Sequence, residues 1–225
     1  MNLLAIDTST ELGSIAIWRD GDLLTRRCPP GIAHSETLLP LISATLREAG
    51  LRFADLDGLA FAAGPGSFTG LRVACGVAQG LAFAHQLPLV PVGTLDAMAL
   101  ASGGEQVIVL LDARMGEVYH GRFSAAIPLA PVIVCSPTVL PVPDSTGWLA
   151  CGNGLIAYPV LRQRLSTCVQ QWQPELIPDA GAVARLAAPR LACGESVDAA
   201  AAVPVYVRNK VALTVGERLA NGGRA

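Results

Sequence analysis

The chain has 225 residues, enough to bury a substantial core as one large domain or two small ones. Hydrophobic residues make up 52% and charged residues only 15%, against roughly 25% in typical soluble domains. With 16 basic and 18 acidic residues the net charge is −2, which argues against an autonomous nucleic-acid binder.

In chain order, residues 3–6 and 14–18 read as two strands joined by the polar turn DTSTELG. Asp20-Gly21 is a hairpin signal leading to a third strand at Asp22–Arg27. HSETLLPLISATLREAG is a helix, with Ser35 expected as N-cap, Glu36 and Thr37 in the first turn and Gly50 as its stop. Its apolar residues Leu38, Leu39, Leu41, Ile42, Leu46 and Ala49 recur at three- and four-residue spacing, and Pro40 is tolerated near the start. LDGLAFAAG reads as a buried strand, residues 69–85 as a second helix, LPLVPV as a strand, and TLDAMALAS as the opening of a third helix.

After the linker SGGEQ the pattern starts again. LLAIDTSTELGSIAIWRDG and VIVLLDARMGEVYHGRFSA each hold a strand ending in Asp (Asp7, Asp112), a polar turn, a glycine (Gly13, Gly116) and an outward strand. Two similar lobes are expected, at 1–102 and 106–225, each an α/β unit, with the last helix free to pack back on the first lobe. The second half is less regular: it is Pro-rich near 127–143 and Ala-rich and helical at 179–193. It closes on PVYVRNKVALTVGERL, an extended run followed by a helix.

The six cysteines are scattered without a C-x-x-C pair, so they read as buried small hydrophobes in a reducing compartment rather than as a zinc or disulfide framework. The N-terminus lacks a basic leader, and no run is long enough to span a membrane, so a cytoplasmic protein without a membrane partner is expected. His34, His85 and His120 are far apart in sequence and are expected to serve as caps or surface residues. Asp7, Thr8 and Ser9 could hold a hydrated Mg²⁺ near a phosphate, or could simply be turn residues bonding their own backbone.

The loop 64–70, GPGSFTG, resembles a phosphate cradle at first sight. Yet its glycines at 64, 66 and 70 miss both the P-loop and the dinucleotide spacing, no lysine follows, and Pro65 lacks the N–H that an anion nest would use. The loop reads instead as an elbow from strand to helix, with Thr69 or Ser67 as the cap. In that helix Ala74, Gly76, Ala78, Gly80 and Ala82 make small faces, while Leu71, Val73, Val77, Leu81 and Phe83 make large ones. Being apolar almost all round, it is expected to be buried on both sides, within one large domain or under a partner.

AIDTST, HSETLLPLI, GPGSFTGLRVACGVAQGLA, LLDARMGEVY, CGNG and PVYVRNKVA together resemble the TsaB (YeaZ) family, a bacterial partner protein in threonylcarbamoyladenosine modification of tRNA. The resemblance implies an actin-like/Hsp70-like ATPase (ASKHA) fold of two related lobes. It implies a non-catalytic scaffold that pairs with the catalytic subunit TsaD, with the ATPase TsaE docking on the pair and tRNA contacted only through the complex. ATP and metal would sit on the partner subunits, and this chain would require no cofactor. The metal-binding segment of TsaD would fall on residues 91–98, where Thr94 and Met98 stand in place of its histidines and Asp96 keeps the acidic position, which also disfavours a metallopeptidase.

The expected partner face, built from the first two helices, comprises Leu38, Leu41, Ile42, Thr69, Arg72, Val73, Gly76, Val77 and Gly80. The same face would support a homodimer when the chain is alone. The alternative is an ATP-dependent phosphotransferase or ATPase of the same fold. Its nucleotide site, vestigial on the first reading, would use Asp7, Thr8, Ser9, Asp112, Gly152 and Gly154.

Overall fold

The structure, a computed structural model, describes residues 1–208. The first half runs β1 (Asn2–Asp7), β2 (Ser14–Arg19), β3 (Asp22–Arg27), α1 (His34–Glu48), β4 (Gly58–Gly64), α2 (Phe68–His85), β5 (Leu89–Gly93) and α3 (Thr94–Ser102). The second runs β6 (Gln106–Asp112), β7 (Val118–Ser124), β8 (Ile127–Pro128), β9 (Ile133–Cys135), β10 (Trp148–Cys151), α4 (Gly154–Ala157), α5 (Val160–Arg164), β11 (Val169–Gln173) and α6 (Ala180–Ala192).

The repeat around the two aspartates is real at the level of topology. In the first sheet, ordered β3-β2-β1-β4-β5, β1 pairs antiparallel with β2 and parallel with β4. In the second, ordered β11-β10-β6-β7-β8, β6 pairs antiparallel with β7 and parallel with β10. Asp7 and Asp112 end the corresponding strands, and the elbow after β4 corresponds to the Gly152–Gly154 turn after β10.

Period-two alternation assigns each face its cover. Leu4 and Ile6 of β1 point to the layer made by α1 and α2, with Phe61, Leu38 and Ile42 fully buried there. Leu3 and Ala5 point the other way, to α6, which arrives from the second half and lays Ala180, Val183, Ala184 and Ala187 on the alanine-rich back of the first sheet. In return, α3 places Leu95 and Met98 against Val107, Val109 and Phe123 of the second sheet. Small residues on both sides of the α6 contact allow the helix to sit close.

Several expectations need correction. Helix α1 begins two residues earlier than the expected Ser35 cap implies. Its N-cap is Ala33, without a side-chain cap, while the His34 ring reaches the Thr10 carbonyl at 3.0 Å and Ser35 lies exposed inside the first turn. Ser67, not Thr69, caps α2, its Oγ accepting from Gly70 N at 3.3 Å. Gly50 has φ 68, the left-handed value a helix stop uses. The closing segment has no regular secondary structure at 202–208, and the helix expected beyond it lies outside the described residues. Among the described residues no helix is long and apolar enough to cross a membrane.

His120 is neither a cap nor a surface residue. It sits in β7 opposite Leu110 and Ile133, is 4% exposed, and its Nε2 has no partner. Burial, with a contribution from the Arg122 charge, moves its pKa from 6.5 down to about 4. The unfolded chain therefore takes up the proton first as pH falls. Stability is full above about pH 6.5 and drops toward pH 4 by up to about 3 kcal/mol. Urea unfolding at about pH 7 and about pH 4.5 checks this, since His120→Phe should lose much less stability across that interval than the wild-type chain.

Candidate functional site

The elbow and the β1–β2 turn are built as one unit. Gly64 has φ 120, a backbone conformation that a side chain rarely adopts. A Cβ on Gly66 would lie 2.5 Å from the Ser9 carbonyl oxygen, and one on Gly70 would lie 1.8 Å from that of Thr8. Ser67 N donates to Ser9 O at 2.7 Å, and Thr8 Oγ1 donates to Gly70 O at 2.7 Å. The backbone of Thr8 and Ser9 therefore fills the space that a phosphate would need. The loop is an elbow.

Asp7 is buried beneath this unit. Its Oδ1 accepts from Ser9 N at 2.8 Å and Ser9 Oγ at 2.6 Å, while Oδ2 has no partner. Burial, partly offset by the Ser9 bonds, pushes its carboxyl up. Asp7 thus makes the local turn bonds of the turn reading, Thr8 bonds across to Gly70 instead, and of the three only Ser9 lines the space between the lobes.

That space is a cleft of about 610 Å³, walled by Ser9, Glu11 and Phe68 from the first lobe and by Asp112, Arg114 and Asn153 from the second. Asp112 accepts from Arg114 N at 2.9 Å and from the Tyr158 hydroxyl at 2.8 Å. Burial, reinforced by that carboxylate, pushes Tyr158 up to about 12, so it remains a donor. Gly152 and Gly154 do not face the cleft. A Cβ on them would lie 2.3 Å and 2.9 Å from the Leu110 oxygen, so they serve the close approach of α4 to β6. Both arginines that reach the cleft are paired: Arg114 with Glu11 at 2.6 Å and Asp112 at 3.3 Å, and Arg208 with Glu117. Of the six residues expected to form a nucleotide site, the structure brings only Ser9 and Asp112 to one cavity.

On α3, Thr94 and Met98 are fully buried. Asp96 is partly buried, and its carboxyl folds back over Gly93. Among the described residues, no group of three His, Cys, Asp or Glu side chains is placed to hold a metal ion. His85 stacks on Phe53 with ring centroids 5.0 Å apart.

The outward side of α2 is the other distinctive surface. Leu71, Ala74, Cys75, Ala78 and Ala82 turn inward and are buried. Thr69, Arg72, Gly76, Gly80 and Phe83 form an exposed stripe at steps of three and four, flanked by half-buried Val73 and Val77. Burial on both sides within one chain is therefore not what the structure has. A Cβ on Gly76 or Gly80 would meet nothing within 4 Å. Leu38 and Ile42 drop out of the expected face, because both are fully buried in the chain's own core, while Leu41 stays half-buried at the edge of α1. Phe83, 82% exposed, was missed among the face residues, although its place three residues after Gly80 puts it on the stripe.

A family model described as TsaD, tRNA N6-adenosine threonylcarbamoyltransferase, matches residues 31–127. The chain is 36% identical to the tRNA threonylcarbamoyladenosine biosynthesis protein TsaB of Escherichia coli, over 94% of this chain and 96% of that one. It is 33% identical to TsaB of Haemophilus influenzae, over 94% and 95%. Among solved structures, YeaZ from Pseudomonas aeruginosa superposes with a TM-score of 0.82 at 36% identity, covering 91% of this chain and 99% of that one.

Proposed function

This chain belongs to the TsaB family of tRNA threonylcarbamoyladenosine biosynthesis proteins, and from that premise we propose that it is a non-catalytic subunit that stabilises and activates a TsaD-like catalytic partner. Its two-lobed α/β architecture is the actin-like fold of that family. Within the modification pathway its work is to present the outward stripe of α2, with the edge of α1, to the partner. Threonylcarbamoyl transfer to N6 of a tRNA adenosine then takes place on the partner, which also carries the metal and nucleotide. A TsaE-like ATPase docks on the pair, tRNA is met through the complex, and all of this occurs in the cytoplasm. Without the partner, the same stripe supports a homodimer.

One observation carries the reading: α2 keeps two glycines in mid-helix with open space around them. Each costs about 1 kcal/mol relative to alanine, and nothing among the described residues requires their small size. A helix that approaches along the stripe does require it, because backbones can come close only where side chains are missing. The exposed Phe83 next to this notch adds apolar area that water would otherwise cover. Against the rival nucleotide reading, Asp112, the aspartate that lines the cleft, already bonds the Arg114 backbone, the Tyr158 hydroxyl and the Arg114 guanidinium, and Gly152 and Gly154 serve packing. Co-elution with a TsaD-like subunit in size-exclusion chromatography tests the proposal, and separate elution at micromolar concentrations would remove it.

A further inference from the structure

The chain does not end its described course inside either lobe; it crosses from one to the other. After α6, Val197 bridges to Leu89 at the edge of the first sheet, with hydrogen bonds of 2.7 Å and 3.1 Å. The chain then runs over α2, where the Gln79 amide donates to Ala202 O at 2.8 Å and to Ala199 O at 3.2 Å. Val205 N donates to Ala63 O at 2.7 Å, and the Val205 oxygen passes so near Gly64 that a Cβ there would be 2.7 Å away. Tyr206 lies against Phe68 with ring centroids 5.7 Å apart, and its hydroxyl accepts from Arg72 Nε at 3.1 Å. Two residues on, Arg208 grips the β6–β7 turn of the other lobe, donating to Ala113 O at 3.1 Å and to the Glu117 carboxylate.

We propose that residues 203–208 are a latch across the interlobe cleft that ties the outward stripe of α2 to the closure of the two lobes. One end is held by β4 and α2, the other by the β6–β7 turn, and Val205 to Arg208 form part of the cleft wall between them. Val205 and Tyr206 are 53% and 45% exposed and Val207 is only partly buried against the second sheet's core, so the segment rests largely on a few directed bonds, which places it among the parts that open first. Arg72 belongs both to the stripe and to the latch. A group that takes hold of Arg72 competes with the Tyr206 hydroxyl, and a change at the Arg208 end must by reciprocity alter how firmly Arg72 is held. This goes beyond the docking role, because the latch acts within the isolated chain.

Amide hydrogen exchange on the full chain, alone in solution, tests it. Glu117→Gln should raise exchange at the Val205 amide about tenfold, the effect of losing one charge-assisted hydrogen bond, and Arg208→Gln, which also gives up the Ala113 bond, at least as much, with Phe61 in β4 unchanged. In the Arg208→Gln background, Glu117→Gln should add little further exchange, because the bond it removes is already gone. Arg72→Met should loosen Val205 as well, and should also speed exchange at Glu117, whose amide bonds to Arg114 O within the far turn. Unaltered Val205 exchange in the single variants, or fully additive effects in the double variant, would overturn the latch. A rise that spreads to Phe61 would mean general loosening of the fold and would overturn it equally.

Discussion

A chain carrying Gly76→Leu and Gly80→Leu is expected to elute apart from a TsaD-like subunit, with its affinity lowered at least about 30-fold, the loss of one central interface contact or more. The same chain should fold normally. A Cβ at either position meets nothing within 4 Å, both positions are exposed, and leucine is a better helix former than glycine. Thermal unfolding of the isolated variant should therefore match or exceed that of the wild type. The pairing of these outcomes matters, because a variant that failed to bind through misfolding would show both losses. Undiminished co-elution would move the interface elsewhere on the chain.

Gly70→Ala should have the opposite signature, damaging the fold itself. The reason is not conformational: Gly70 lies in the first turn of α2, where alanine is ordinarily favoured. The obstacle is the Thr8 carbonyl oxygen, 1.8 Å from where the methyl carbon would be, and it belongs to backbone that the Gly70 oxygen and the Thr8 hydroxyl hold in place. Either α2 or the β1–β2 turn must shift by more than an ångström, which breaks the elbow that aims the helix. A cost of at least about 3 kcal/mol is expected, at the upper end for overpacking and a large share of a domain's total stability. Urea unfolding compared with Gly76→Ala checks the point, since the same substitution at the open position should be neutral or stabilising by up to about 1 kcal/mol.

Much of the first lobe was legible because its signals are local. Asp20-Gly21 set a hairpin, Gly50 stopped a helix, and the uninterrupted apolar run before Gly64 indicated a strand covered on both faces. The repeat was legible from two aspartates at strand ends, since the same turn chemistry recurs wherever the same topology does. Which side of α1 faces the sheet was not legible. Its apolar residues form a broad band, and only the position of β1 and β4 decides that Leu38 and Ile42 point inward while Leu39 stays exposed. His120 carried a usable signal, because it shares a strand face with Val118 at period two and Val118 is core. The latch left little trace: alternation in PVYV indicates extended chain, but its partners Ala63, Arg72 and Glu117 lie roughly 90 to 140 residues away in sequence.

The most direct test of the account is reconstitution of tRNA threonylcarbamoylation from a TsaD-like subunit, a TsaE-like ATPase, tRNA and threonylcarbamoyl-adenylate, with and without this chain. Modification is expected only when the chain is present, and is expected to be lost again when the chain carries Gly76→Leu and Gly80→Leu. Equal modification in the chain's absence would contradict it.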